Sequence, residues 1–283
     1  MREDDLAEQK TPDLSSLSAE ALIERAIAAR GDVFPEWRLI AEASPETMGI
    51  VTHTGGYLHK YEGIGGEEQQ LSVQMRELIA VPAICGKGDL RHSPNHVRRM
   101  YRLGMTNRLI IEGALAFAIS AGWATMLNVA YAIMLANSAD YPFGKLPEGG
   151  EPKELKPFPE LTMGRKRISG RGEPITEKPS WQFAATVDPE LVKRISAWTE
   201  WCQGSDDRDD LLLGPGPRAL ISAAGLCTRG DVERAARSIR RAYDYGMTKR
   251  QVLEAISSVV PMTGMVSLEV GTEAMLKAEG GAG

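Results

Sequence analysis

The residues best suited to chemistry in this sequence are its histidines, all within the first hundred positions: His53, His59, His92 and His96. Two carboxylates, Glu77 and Asp89, lie near the last two histidines along the chain. An imidazole exchanges a proton near neutral pH, and a nearby carboxylate fixes its tautomer and stabilises its charged form. These residue types therefore indicate general acid–base catalysis.

The elements that carry these residues belong to a unit that the sequence contains twice, at an offset of 142 residues. The Gly104-Met105-Thr106 segment of the first copy becomes Gly246-Met247-Thr248 in the second, and the register between them holds without a gap. Other matches of first copy with second are Arg76 with Arg218, Cys85 with Cys227, Arg99 with Arg241, Glu112 with Glu254, and Gly122 with Gly264. A repeat of this kind predicts two structurally equivalent units.

The ionisable cluster is present only in the first copy. The positions of Glu77, His92 and His96 are occupied in the second copy by Ala219, Arg234 and Ser238. The turn glycines and apolar positions persist in the second copy, but the titratable groups do not. We therefore expect the first copy to carry the active site and the second to have a supporting, structural role.

Local signals in both copies predict helices. Apolar residues recur every three or four positions, and the glycine of each Gly-Met-Thr segment is typical of a helix C-terminus. The threonine that follows is an expected N-cap, and Thr248 with Gln251 forms a capping box. The sequence thus predicts an all-α fold in which tandem helical repeats share a core. Residues 49–58 are a candidate extended segment, with His53 and His59 in a loop.

The expected organisation is a first repeat over residues 1–139, a bridging segment over 140–180 and a second repeat over 181–283. The bridge contains seven prolines, which disfavour regular helix. Its basic residues, Arg165, Lys166, Arg167 and Arg171, suit either a solvated loop or an anionic ligand. We expect this bridge to pack over the helical core or onto a neighbouring subunit.

Composition excludes several classes of function. Lys and Arg number 33 against 38 Asp and Glu, a net charge of -5, so nucleic-acid binding is not expected. Three scattered cysteines do not form a disulfide framework, and the acidic N-terminus does not resemble a signal peptide, so we expect a cytoplasmic protein. The apolar stretch 109–136 is divided at Ser120-Ala121-Gly122 and is expected to form buried helices rather than a membrane span.

These residues together resemble the carboxymuconolactone decarboxylase and alkylhydroperoxidase D-like superfamily. The resemblance is carried by Arg-Glu-Leu-Ile at 76–79, by His96 followed by Met100 and the Gly-Met-Thr turn, and by Glu112 with the Gly122 turn. It covers residues 71–135 and 214–276. It implies an all-helical fold with a site between helices near a subunit or repeat interface, assembled here as a dimer or trimer of two-repeat chains.

The peroxidase branch of this superfamily uses a Cys-x-x-Cys-x-x-x-His motif, with a glutamate nineteen residues before the histidine. Here His96 and Glu77 take the histidine and glutamate positions, while Asp89 and His92 stand where the two cysteines would be. Without a dithiol no peroxide can be reduced by this route, so thiol peroxidase activity is disfavoured.

The decarboxylase branch fits better. It implies a cofactor-independent carbon–carbon lyase of aromatic catabolism that removes CO2 from a small carboxylated lactone or cyclic acid. In this hypothesis His96 protonates the product carbon, Glu77 orients His96, and His92 with Asp89 helps to position the acid. Candidate substrate-binding residues are Arg91, Arg98, Arg99, Asp89, His53 and Trp123.

Two alternatives remain open from the sequence. His92 and His96 could serve a metal-dependent lyase or hydrolase, although Ser93-Pro94 resembles a helix start that would place His92 outside the i, i+4 pairing. The chain could also be a non-catalytic, ligand-binding member of the same scaffold. No cofactor, nucleic acid or membrane partner is expected.

Overall fold

The computed structural model describes residues 18–30, 33–60, 69–138, 150–165, 179–203 and 210–280. Contacts between residues divide the chain into two compact units, residues 1–66 and residues 67–283. The two matching segments, residues 71–135 and 214–276, and the described part of the bridge lie in the second unit, while residues 1–66 of the predicted first repeat form the first unit. Every regular element in the described residues is a helix, so the predicted all-α class is confirmed.

The first unit contains three helices: α1 (Ala19–Arg30), α2 (Pro35–Ala43) and α3 (Pro45–His59). They enclose a small apolar core. The prediction of an extended segment over 49–58, with His53 and His59 in a loop, is wrong, because these residues form the body of α3. Pro45 and Glu46 in the first turn are typical of a helix start, and this signal outweighs the short β-branched stretch that follows.

The first copy of the repeat forms four helices: α4 (Val73–Gly86), α5 (Ser93–Arg102), α6 (Asn107–Ala121) and α7 (Trp123–Ala136). Two further helices, α8 (Pro179–Val187) and α9 (Pro189–Gln203), precede the second copy. The second copy forms α10 (Pro215–Cys227), α11 (Val232–Asp244), α12 (Lys249–Ser258), α13 (Val260–Thr263) and α14 (Val266–Gly280).

The two copies share their turns as well as their helices. Gly104 and Gly246 have φ angles of 80° and 95°, a conformation that favours glycine and ends α5 and α11 alike. Gly122 separates α6 from α7 as predicted, and Gly264 has nearly the same backbone angles. The capping box of Thr248 and Gln251 is present at the start of α12.

A single apolar core runs through both copies. Helices α4 and α6 of the first copy pack on α10 of the second, and α4 also packs on α12. Two reciprocal hydrogen bonds fasten the copies: the Leu71 amide donates to Glu254 at 2.7 Å, and the Leu213 amide donates to Glu112 at 2.9 Å. The copies are therefore interlocked halves of one unit, which is the shared core that the sequence predicts.

The described part of the bridge, residues 150–165, runs over this core without regular helix. The Lys156 amide donates to the carbonyl of Gly104 in the first copy, and the Gly214 amide of the second copy donates to the carbonyl of Leu161. Phe158 and Leu161 are buried. The expectation that the bridge packs over the core is confirmed here, while the basic residues Lys166, Arg167 and Arg171 lie outside the described residues.

Among the described residues, no helix has both the length and the apolar character needed to cross a membrane.

Candidate active site

The first acid–histidine pair joins α4 to α5. Ser72 caps α4 by accepting a hydrogen bond from the Met75 amide at 3.2 Å, and Glu77 follows in the next turn. The Glu77 side chain is fully buried, and its Oε2 lies 2.8 Å from Nδ1 of His96. The His96 side chain is 18% exposed, so its ring lies at the edge of the core rather than inside it. The structure thus brings together the two residues that the sequence singled out as central.

Arg99 completes this cluster. It lies three residues after His96 on α5, hence on the same face of the helix. Its Nη1 donates to Oε1 of Glu77, the oxygen that His96 does not use. A buried carboxylate is costly unless it is paired and hydrogen-bonded, and Glu77 meets both conditions. The sequence analysis placed Arg99 among the substrate-binding candidates, whereas the geometry gives it Glu77 as a partner.

The second acid–histidine pair lies in the turn before α5. Asp89 Oδ2 lies 2.7 Å from Nδ1 of His92, and Asp89 Oδ1 accepts hydrogen bonds from the amides of Arg91 and His92. Partial burial alone would raise the pKa of the Asp89 carboxyl, but the hydrogen bonds from the backbone and ring of His92, together with the charge of that ring, lower it below its usual range. Each imidazole therefore has its own carboxylate.

The second copy shows what the Asp89 turn does structurally. There Asp231 accepts a hydrogen bond from the Arg234 amide at 3.0 Å and forms an ion pair with the Arg234 side chain at 3.5 Å. Asp231 and Arg234 occupy the positions of Asp89 and His92. The same contacts stabilise the start of α11 in a copy without any histidine. A structural role in starting α5 is therefore sufficient to explain the contacts between Asp89 and His92. A catalytic role for His92 stays a prediction.

The other predicted substrate-binding residues are dispersed. Arg98 is buried and donates from Nε to the carbonyl of Ala136 at 3.2 Å, which ties α5 to the end of α7. Arg240 of the second copy makes the equivalent contact with Ala278. The three others are Arg91, exposed in the turn before α5, Trp123, exposed at the start of α7, and His53, on α3 of the first unit.

The cysteines are buried and free of disulfides. Burial raises the pKa of both Cys85 and Cys227 to about 12 and that of Cys202 to about 11. A thiol with such a pKa is not a thiolate near neutral pH, so it is a poor nucleophile. These thiols are unsuited to peroxide reduction, in line with the missing dithiol motif.

The metal-dependent alternative finds no support in the described part of the chain. Groups of three or more histidine, cysteine, aspartate or glutamate side chains that could hold a metal ion are absent from those residues. His92 and His96 instead direct their Nδ1 atoms at separate carboxylates.

Two ion pairs are not among the sequence-based predictions. The first joins Arg99 to Glu77, and its signal in the sequence is the i, i+3 spacing of Arg99 from His96, which places both side chains on the face of α5 toward α4. The second joins Arg76 to Glu254, whose atoms Nη2 and Oε2 lie 2.6 Å apart across the two copies. Both residues recur at the repeat offset, which marks them as parts of the scaffold.

The fold is similar to that of a solved protein. A crystal structure of a protein from Burkholderia xenovorans LB400, described as a candidate gamma-carboxymuconolactone decarboxylase subunit, matches with a TM-score of 0.55 and 18% sequence identity. The match covers 93% of this chain and 99% of that chain. At this identity the likeness shows the fold alone. No protein-family model and no curated protein matches the sequence.

Proposed function

We propose that this protein is a cofactor-independent decarboxylase, or a related carbon–carbon lyase, that acts on a small carboxylated lactone or cyclic acid of aromatic catabolism. The observation that carries the proposal is the contact of His96 with the fully buried Glu77 at 2.8 Å. The second copy, with Ala219 and Ser238 at these positions, keeps the fold without this pair. The similar structure is described as a decarboxylase subunit, which agrees with this chemistry.

The proposed reaction breaks the bond between the substrate's carboxylate and its ring carbon. The electron pair of that bond moves into the substrate's own conjugated carbonyl and gives a dienolate, while the carboxylate leaves as CO2. His96 then transfers a proton to the carbon, and solvent returns a proton to the ring. No external electron acceptor is required, which agrees with the proposal of a cofactor-independent enzyme.

Glu77 gives His96 the required orientation. A carboxylate that accepts from Nδ1 fixes the ring's tautomer, so that the transferred proton is carried on Nε2. Arg91, exposed in the turn before α5, is our candidate for binding the substrate carboxylate, because a guanidinium presents two parallel N–H donors to a carboxylate. The unpaired thiols suit a reducing compartment, and we propose a cytoplasmic location.

The test is a panel of carboxylated lactones, hydroxybenzoates and muconates, screened for thermal stabilisation and then for CO2 release in the presence of a chelator. We expect at least one member to raise the Tm and to release CO2 at a rate that the chelator does not change. Stabilisation without CO2 release would contradict the proposal and support a non-catalytic binding protein.

We also propose that the chain self-associates through the outer face of α7. Four large apolar side chains lie along it at steps of four, four and three residues, each between 47% and 67% exposed: Trp123, Leu127, Tyr131 and Met134. Aromatic side chains such as Trp123 and Tyr131 have areas of about 150–250 Å², and with the two aliphatic side chains taken at the lower end of that range the exposed stripe amounts to about 400 Å². That is roughly half of the 800 Å² that one partner contributes to a standard interface. Because α7 carries no charged residue, its best complement is the same stripe of a second chain.

The second copy supplies the variant that tests this stripe. On α14, Glu269 and Glu273 occupy the positions of Leu127 and Tyr131. We expect Leu127→Glu with Tyr131→Glu to lower the mass measured by size-exclusion chromatography with light scattering, because buried carboxylates would oppose association. Leu276→Glu, at an exposed apolar site on α14, is the matched control and should leave the mass unchanged. A wild-type monomer, or a double variant of wild-type mass, would contradict the proposal.

A further inference from the structure

Glu77 lies between two groups that compete for its charge. One carboxylate oxygen accepts from the Arg99 guanidinium and the other from Nδ1 of His96, while the carboxylate itself has no contact with solvent. Glu77 contributes one negative charge and Arg99 one permanent positive charge. The charge of the His96 ring is thus the variable part of the cluster.

Few other charges face His96 from the elements around it. Helix α7, which packs on α5, carries no Asp, Glu, Lys, Arg or His. On α4, Arg76 is paired with Glu254, and burial raises the pKa of Cys85 to about 12, so that this thiol is neutral. In the described part of the bridge, the Lys156 amide donates to the carbonyl of Gly104, just after the C-terminal end of α5.

The remaining charges on α5 itself are directed elsewhere. His92 pairs with Asp89, Arg98 donates to a carbonyl at the end of α7, and Arg102 is exposed. Among the described residues, Glu77 contacts the His96 ring through one oxygen and Arg99 through the other.

We propose that Arg99 is a positioning residue that sets the protonation equilibrium of His96 by compensating the charge of Glu77. Glu77 orients the ring through Nδ1, and Arg99 brings a positive charge to the other oxygen of the same carboxylate. A charge close by in a poorly solvated site interacts strongly, so the loss of Arg99 leaves the full attraction of Glu77 to the imidazolium. The catalytic meaning of this inference rests on the proposed function of His96 as a proton donor.

The second copy shows whether the fold itself requires the pairing of Arg99 with Glu77. Arg241 takes the position of Arg99, but Ala219 stands where Glu77 would be. Arg241 instead donates to the Tyr245 hydroxyl at 3.4 Å, and its guanidinium lies 5.7 Å from the centre of the Tyr245 ring. Helix α11 forms with alanine at the position of Glu77, so the fold of this helix does not require the pairing that Arg99 makes with Glu77.

The effect of Arg99 on proton transfer depends on how readily the protonated His96 ring gives up its proton. A general acid works best when its proton is lost near the working pH. An imidazolium held by an uncompensated carboxylate releases its proton less readily, so it is a poorer donor to the product carbon. Arg99 thus keeps His96 able to cycle between its two protonation states.

The direct test follows the His96 ring by NMR, with ¹⁵N-labelled histidine in the full-length protein and no substrate. In Arg99→Met we expect the midpoint of the ring's pH titration to rise by about one unit or more, as loss of a neighbouring positive charge requires. Arg99→Lys, which keeps the charge, should return the midpoint toward that of the wild type. Arg102→Met removes a charge from the exposed face of the same helix and should leave the midpoint unchanged.

An unchanged midpoint in Arg99→Met would overturn the proposal. So would a lower midpoint, which would mean that Glu77 without its arginine takes up a proton and loses its hold on the ring. Thermal unfolding of each variant checks that the fold is intact. If Arg99→Met does not fold, Arg99→Gln provides the same measurement with a polar side chain.

A second readout links the titration to catalysis. In Arg99→Met the alkaline limb of the kcat/KM pH profile should move upward together with the NMR midpoint, and kcat should fall. The NMR arm needs no substrate, so it can succeed even if the screen for CO2 release fails. A shift of the NMR midpoint without a shift of the pH profile would contradict the link to catalysis.

Discussion

His96→Ala is expected to lose turnover almost completely, with a fall in kcat of about 10² to 10⁴-fold, the range over which a positioned general acid contributes. The ring is the group that carries the transferable proton, and alanine removes the partner of Glu77 Oε2 while Arg99 still donates to Oε1. KM should change less than kcat, because His96 acts on the carbon that is protonated after CO2 has left. The measurement is steady-state CO2 release on the substrate found in the screen.

The repeat supplies the matched control for this substitution. Ser238 holds the position of His96 in the second copy, on the equivalent helix and nearly buried. Ser238→Ala should keep wild-type kcat, since that copy lacks the glutamate. Equal rates in His96→Ala and the wild type, or equal losses in the two variants, would remove the proton-transfer role from the first copy.

The repeat and the local helix signals were sufficient to predict the fold. Some features depend only on a few neighbouring residues, so they can be predicted from the sequence alone. Examples are the turn glycines, the capping box at Thr248 and the junction at Gly122. Once two copies were recognised, a shared apolar core followed, because neither copy alone can cover its buried face. The structure of the second unit agrees with these predictions.

The contact between Glu77 and His96 was predicted from a family-like spacing of nineteen residues. Such a spacing spans the end of α4, a turn and the start of α5, and residue types alone do not determine how those helices cross. The partner of Arg99 was missed for the same reason. An arginine one helical turn from a histidine can bind either a substrate or a residue of the protein. The packing of α4 against α5 gives Arg99 a partner in the protein, Glu77.

Helix α3 is a case in which the local sequence pattern predicts the wrong secondary structure. Its glycines and β-branched residues favour an extended or loop conformation, yet the segment is helical from Pro45 to His59. Buried Gly49, Gly55 and Gly56 show that packing, rather than helix propensity, stabilises this helix. Pro45 in the first turn is the local signal that favours the observed helix.

Arg76→Met is expected to cost about 3 kcal/mol of unfolding free energy, the lower end of the range for breaking a buried ion pair by removing one partner. Arg76 is 1% exposed, and its Nη2 lies 2.6 Å from Oε2 of Glu254 in the other copy. Methionine fills much of the same volume, so the loss comes from leaving the Glu254 carboxylate with less compensation. Urea unfolding followed by circular dichroism measures the change.

Arg250→Met is the control that separates burial from charge, since Arg250 pairs with the same carboxylate at 2.6 Å but is 39% exposed. A solvent-accessible pair of this kind contributes about 1 kcal/mol or less. Both variants remove one positive charge from Glu254, so a larger loss for Arg76→Met measures what burial between the copies adds. If the two losses are equal, burial of the ion pair of Arg76 with Glu254 adds nothing to the association of the copies, which then rests on the apolar core and the hydrogen bonds of Leu71 and Leu213.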